Sequence, residues 1–154
     1  MSVSIDRDRL VDWASKAIAI PSFTGSEEAM ARLMEETFRG MGLQVQWQQV
    51  EDGRANVLGT LAGAGGGHSL MFNGHLDTSY SGREPWLRHV PGFQPEPFVR
   101  DGRLYGLGIS NMKGALACYV EAVRALQDAG VDLINTDNLP GLASFLLSPR
   151  REEN

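Results

Sequence analysis

The stretch that decides the fold is Leu70-Met71-Phe72-Asn73-Gly74-His75-Leu76-Asp77-Thr78, an apolar run that ends at a glycine and is followed by a histidine and an aspartate. Its length and apolar character are typical of a buried strand. Side chains at positions i and i+2 of an extended chain point to the same face. The sequence therefore predicts that His75 and Asp77 lie side by side at the end of a strand, with Leu76 pointing into the core.

A histidine with a carboxylate beside it favours a metal site. His75 can offer one ring nitrogen to a cation while Asp77 accepts a hydrogen bond from the other nitrogen, which fixes the tautomer and raises the basicity of the ligand. A solvated histidine beside a capping aspartate gives the same pattern. These two residues alone do not separate the two interpretations.

Two helices are predicted before this strand. Residues 6–19 carry apolar side chains at helical spacing and are followed by Pro21, which ends the run. Thr24 stands three residues before Glu27, as in a capping box, and an apolar face then continues along residues 26–40. The second helix is therefore expected at residues 26–40.

Three strands are predicted next, at residues 43–50, 56–61 and 69–73. The glycine-rich residues 62–67 are short enough to join the last two strands as a hairpin. The same glycines lack the Gly-Lys-Ser/Thr ending of a phosphate-binding loop, and a strand rather than a helix follows them, which argues against nucleotide binding.

The C-terminal half predicts a long ordered loop and a long helix. Residues 78–103 are rich in proline, glycine and charge, with Trp86 and Phe93 as isolated anchors. A strong apolar face from Met112 to Asp128 predicts the helix, and Cys118 is expected to be a small buried side chain on it. Together these elements predict an α/β fold with helices packed on a mixed β-sheet.

Composition limits the possible partners. The formal charge of −5 works against binding a polyanion, so no DNA or RNA partner is expected. There is neither a signal-like N-terminus nor a run of about 20 apolar residues, which predicts a soluble cytoplasmic protein without a membrane partner. A single cysteine excludes an intrachain disulfide.

A second polar segment, Leu104-Tyr105-Gly106-Leu107-Gly108-Ile109-Ser110-Asn111-Met112-Lys113-Gly114, leads directly into the long helix. Ser110 or Asn111 is then at the helix N-terminus, where polar groups face the positive end of the helix dipole. Capping the helix is the simplest role for either residue. A functional role is the alternative.

Several motifs together, in order and spacing, resemble the family of zinc-dependent peptidases and deacylases that contains glutamate carboxypeptidase, aminoacylase, acetylornithine deacetylase and succinyl-diaminopimelate desuccinylase. The resemblance covers about residues 8–131. The matching pieces are Ile20-Pro21-Ser22, Glu27-Glu28, Asn56-Val57, Gly74-His75-Leu76-Asp77-Thr78, Pro97-Phe98, Asp101-Gly102-Arg103-Leu104-Tyr105-Gly106 and Met112-Lys113-Gly114.

The resemblance implies a role for three residues. His75 would bind one of two zinc ions, and Asp77, the candidate catalytic residue, would steady its imidazole. Asn111 stands where the family has an aspartate that bridges both metals. An amide has one ligating oxygen and no charge, so the bridge would be weakened. Zinc is the expected metal, with cobalt or manganese as alternatives, in an incomplete site.

The resemblance also implies how the chain is organised. Residues 1–131 would be the N-terminal part of a metallohydrolase catalytic domain, and residues 132–154 a divergent or truncated tail, with the lid and dimerisation domain absent. Glu152 and Glu153 are interpreted as part of a solvated charged tail rather than as the family's base and acidic ligand. The expected lack of later strands exposes a sheet edge, which makes self-association possible.

Two functions stay open at this stage. In the first, the parent protein hydrolyses an amide bond of an N-acyl amino acid or small peptide, with a metal-activated water attacking the carbonyl. In the second, the chain is a truncated family member without hydrolase activity of its own. A nucleotide-binding module is the weakest alternative, because neither a Gly-x-Gly-x-x-Gly fingerprint nor a P-loop lysine is present.

Overall fold

The predicted class, helices packed on a mixed sheet, is confirmed. The computed structural model describes residues 2–64 and 68–131 and the backbone of a strand at 143–148. The helices are α1 (Arg7–Ala19), α2 (Glu28–Gly40) and α3 (Gly114–Asp128). The strands are β1 (Gln44–Glu51), β2 (Arg54–Leu61), β3 (Leu70–His75), β4 (Phe98–Arg100), β5 (Arg103–Tyr105) and β6 (Ala143–Ser148). Strands β4 and β5 form a separate hairpin.

Helix α1 begins as predicted, with the side chain of Asp6 accepting a hydrogen bond from the backbone N–H of Arg9 at 3.0 Å. The capping box predicted for α2 is wrong. The Thr24 hydroxyl donates to Asp77 at 2.7 Å, and the Glu27 carboxylate accepts from Gly25 N–H and from Arg54. Both side chains have stronger partners elsewhere, so α2 begins at Glu28 without a side-chain cap.

The four-stranded sheet has the order β1-β2-β6-β3, and this corrects the predicted hairpin between β2 and β3. Strand β6 lies between them, antiparallel to β2 and parallel to β3. The apolar residues 143–148, assigned in the sequence to a divergent tail, thus supply a central strand. Glu152 and Glu153 lie outside the described residues.

The core lies where the helices cover the sheet. Its buried side chains share helical or strand spacing with the predicted apolar faces and include Trp13, Met30, Met34, Phe38, Val57, Leu76, Leu116 and Val120. Leu76 is buried as predicted. This core fixes the end of β3 against the start of α3.

One predicted burial and two predicted loop anchors are wrong. Cys118 is exposed because it lies two positions after the buried Leu116 on α3. Two positions correspond to more than half a helical turn, so the Cys118 side chain points away from Leu116. Trp86 and Phe93 are 69% and 41% exposed, and the buried anchor of their loop is Leu87. Within the described residues, no helix is long and apolar enough to cross a membrane.

Candidate functional site

The end of strand β3 packs tightly against the start of α3 because Gly74 has no side chain. A Cβ atom at Gly74 would lie 2.8 Å from Cε of Met112 and 2.9 Å from Cδ2 of Leu116. The backbone N–H of His75 also lies 3.3 Å from the Met112 sulfur. The missing side chain therefore brings His75 next to the segment that leads into α3.

The imidazole of His75 lies between two of the residues singled out in the sequence. Its Nδ1 is 2.8 Å from Oδ1 of Asp77 and 3.0 Å from the Asp77 backbone oxygen. Its Nε2 is 2.9 Å from Oδ1 of Asn111. A neutral imidazole has only one N–H, yet oxygen atoms face both nitrogens. A proton on Nε2 donates to the Asn111 oxygen, whereas a proton on Nδ1, toward Asp77, leaves a lone pair on Nε2 that could bind a cation.

The carboxylate of Asp77 is well suited to hold the ring. The residue is 1% exposed, and its Oδ2 accepts a hydrogen bond of 2.7 Å from the Thr24 hydroxyl. The neighbouring backbone is also fixed, since the Ser22 hydroxyl donates to Leu76 O and Thr78 N–H donates to Ser22 O. The loop before α2 therefore clamps the histidine and aspartate segment in place.

Asn111 lies in a short π-helical turn, Ile109–Lys113, and its own backbone is extended, with φ −151° and ψ 88°. The peptide bond between Asn111 and Met112 is cis. Neither Ser110 nor Asn111 caps α3, whose first residue is preceded by Lys113 and whose N-terminus has no side-chain cap. The capping interpretation is wrong, because the turn directs the Asn111 amide to His75 instead.

Lys113 anchors this turn and was not recognised from its sequence context. It is 1% exposed, and its ammonium group donates hydrogen bonds of 2.8 Å to Ala17 O and 2.6 Å to Ile20 O at the end of α1. Burial lowers the pKa of Lys113 to about 8. The only sequence signal was its place in the Met112-Lys113-Gly114 motif.

The described residues do not complete a zinc site. They contain no group of three or more histidine, cysteine, aspartate or glutamate side chains that could hold a metal ion. His75 Nε2 and Asn111 Oδ1 offer two ligand atoms, and the buried Asp77 carboxylate lies between the Thr24 hydroxyl and His75 Nδ1. A catalytic zinc normally has three protein ligands. The described part of the chain therefore offers fewer ligand atoms than a catalytic zinc needs.

Comparison with known proteins agrees with these motifs. The family model described as peptidase family M20/M25/M40 matches residues 71–136, which contain His75, Asp77 and Asn111. The succinyl-diaminopimelate desuccinylase of Anaplasma marginale (strain Florida) is 31% identical over 146 residues, covering 94% of this chain and 34% of the relative.

Solved structures share the fold. Aminopeptidase PepT from Bacillus cereus ATCC 10987 superposes with a TM-score of 0.71 at 23% identity, over 93% of this chain and 36% of that one. Human carnosine dipeptidase 1 gives a TM-score of 0.70 at 23% identity, over 92% of this chain and 32% of that one. The chain thus spans about a third of the length of the relatives that it matches. With the family match over residues 71–136 and the desuccinylase relative, the chain is similar to the peptidase family M20/M25/M40, which confirms the resemblance to the peptidases and deacylases.

Proposed function

We propose that this chain is part of a metal-dependent amide hydrolase that acts on N-acyl amino acids or small peptides. In this proposal His75 and Asn111 are metal ligands and Asp77 orients His75. The relatives are named as a desuccinylase, an aminopeptidase and a dipeptidase, which supports an amide substrate. Zinc is the proposed metal, with cobalt or manganese as alternatives, because imidazole and oxygen ligands suit these cations.

The observation that carries the proposal is the chain of contacts from Thr24 through Asp77 and His75 to Asn111. A buried carboxylate on one ring nitrogen is the usual way in which proteins orient a metal-binding imidazole. Here the carboxylate is itself held by a hydroxyl, so the ring has little freedom to turn. Nε2 of His75 then faces Oδ1 of Asn111, which packing between distant segments of the chain brings close.

A second candidate is that the chain has no hydrolase activity of its own. The observation that favours it is the Asn111 amide, which brings no negative charge to a site where two cations would repel one another. The incomplete ligand set within the described residues supports the same candidate. Self-association and a cytoplasmic location stay predictions under either candidate.

One experiment separates the two candidates. Hydrolysis of a panel of N-acetyl amino acids and dipeptides is measured with added zinc, cobalt or manganese, for the wild-type chain, for His75→Ala and for His89→Ala. His89 is an exposed histidine in the long loop and serves as the matched control. Metal-dependent turnover that only His75→Ala abolishes supports an active hydrolase. If metal binding depends on His75 but no turnover is detected, the inactive candidate is supported. If His75→Ala leaves metal binding unchanged, His75 is not a metal ligand and the proposal is overturned.

A further inference from the structure

A cleft of about 430 Å³ opens beside Asn111, and nothing described so far uses it. Three segments form its walls, namely residues 78–80 after the histidine and aspartate segment, residues 91–93 in the long loop, and residues 105–111 before α3. Asn111 is one of the lining residues, so a group bound in the cleft is next to the candidate site. Among the described residues that line it, none carries a charged side chain.

The cleft offers aromatic surface. Tyr80 and Phe93 both line the cleft and are 45% and 41% exposed, so their rings are accessible to a ligand. Tyr105 is stacked on Phe98 with ring centroids 5.0 Å apart and planes 8° apart, so its ring is held by the β4–β5 hairpin. The Arg100 guanidinium lies 5.5 Å from the Tyr105 ring but is not part of the lining.

The walls are fixed by backbone hydrogen bonds rather than by a ligand. Leu107 N–H donates to Gln94 O at 2.8 Å, and Phe93 N–H donates to Val90 O at 3.1 Å. The Thr78 hydroxyl donates to Tyr80 O at 2.7 Å. A concave cleft whose walls are already ordered binds a ligand without a large ordering cost.

We infer that this cleft binds an uncharged aromatic or branched aliphatic side chain of the substrate, an inference that rests on the proposed amide hydrolase function. A carboxylate or ammonium group placed there would lose its hydration without gaining a charged partner from the lining residues. The substrate class is therefore N-acyl derivatives or small peptides of hydrophobic amino acids, with the amide bond directed to His75 and Asn111.

The test is a titration of each probe into the ¹⁵N-labelled chain, monitored by NMR. EDTA is present so that probe binding is measured without metal. The probes are N-acetyl-L-phenylalanine amide and the negatively charged N-acetyl-L-aspartic acid amide. Tyr80→Ala and Phe93→Ala each remove one ring from the wall. Trp86→Ala is the matched control, since Trp86 is an exposed aromatic residue of the same loop that does not line the cleft.

The expected result is saturable binding of the phenylalanine probe, with shifts confined to the three wall segments. Binding is expected to weaken about tenfold, or about 1.4 kcal/mol, in Phe93→Ala or Tyr80→Ala and to change less than about twofold in Trp86→Ala. The aspartate probe is expected to bind about tenfold more weakly than the phenylalanine probe.

Three results would overturn the inference. The first is equal affinity of the chain for the two probes. The second is that Trp86→Ala weakens binding of the phenylalanine probe as much as both cleft variants do. The third is that a chain whose spectrum shows it to be folded binds no probe saturably. Because two variants remove different rings, misfolding of one leaves the other as the test. Failure of the proposed hydrolase is detected separately, through the dependence of metal binding on His75.

Discussion

The Nε2 atom of His75 lies 2.9 Å from the Oδ1 atom of Asn111, although 36 residues separate the two in the sequence. Close packing of Gly74 against Met112 and Leu116 brings them together, and Lys113 ties the Asn111 turn to the end of α1. In this chain an amide therefore faces the histidine at the position where the resemblance implies a bridging carboxylate. Its chemistry decides how strongly this side of the site can attract a cation.

Asn111→Asp should tighten zinc binding. The carboxylate adds a negative charge and a second ligating oxygen next to His75 without changing the size of the side chain. We expect the dissociation constant measured by calorimetry to fall about tenfold. Ser110→Asp adds the same charge one residue earlier at an exposed position and is the control. Equal gains in the two variants would mean that charge alone, and not the position beside His75, determines affinity.

Asp77→Asn should weaken zinc binding and loosen the imidazole. The substitution removes the charge that faces Nδ1 and replaces one oxygen with an NH2 group. Loss of such a partner typically lowers metal affinity about 10- to 100-fold. Calorimetry gives the affinity, and the ¹⁵N shifts of the His75 ring report its tautomer. Asp52→Asn, at an exposed turn, should change neither quantity.

The local patterns predicted much of this arrangement. The i, i+2 rule placed His75 and Asp77 together and buried Leu76, and helical spacing identified α1, α2 and α3. These predictions succeed because they depend on the geometry of one element. The contact between His75 and Asn111 came only from resemblance, because no local rule brings together two segments so far apart in the sequence.

Gly74→Ala should destabilise the fold. The added Cβ would lie within 3 Å of both Met112 and Leu116, and the latter is 1% exposed and has little room to move. Crowding of this kind costs about 1–3 kcal/mol of unfolding free energy. Gly40→Ala is the control, because a Cβ there meets nothing within 4 Å. In denaturant unfolding it should be neutral or slightly stabilising, and an equal loss in both variants would contradict the packing at Gly74.

Lys113 should make stability rise with pH between about 8 and 10.5. Its pKa is lowered from 10.5 to about 8 by burial. Below pH 8 both folded and unfolded states hold the proton, and burial of the charge costs stability. Above pH 8 the folded state releases it while the unfolded state still binds it, so stability rises by up to about 3 kcal/mol across the window. The neutral amine still has two N–H groups for Ala17 O and Ile20 O.

This pH dependence is measured as the difference in unfolding free energy between the wild-type chain and Lys113→Met at several pH values. The difference should change steadily between pH 8 and pH 10.5 and be flat below pH 8. Lys16→Met removes an exposed lysine that pairs with Asp12 and should show no such slope. A flat difference for Lys113→Met across the whole range would contradict the buried charge.

Long-range features could not be predicted from local rules. The pairing of β6 between β2 and β3 depends on competition among all strands, and the glycine-rich residues 62–67 are compatible with either a hairpin or a longer crossing. Cys118 was predicted to be buried and Trp86 to anchor the long loop, although helix phase and loop packing expose both. The role of Lys113 depends on carbonyl groups more than 90 residues away.

If His75 anchors a metal site, zinc titrated calorimetrically into the wild-type chain, into His75→Ala and into His89→Ala will distinguish the three proteins. We expect saturable binding that is lost in His75→Ala and unchanged in His89→Ala. Binding that survives His75→Ala, or that both variants weaken equally, would contradict it.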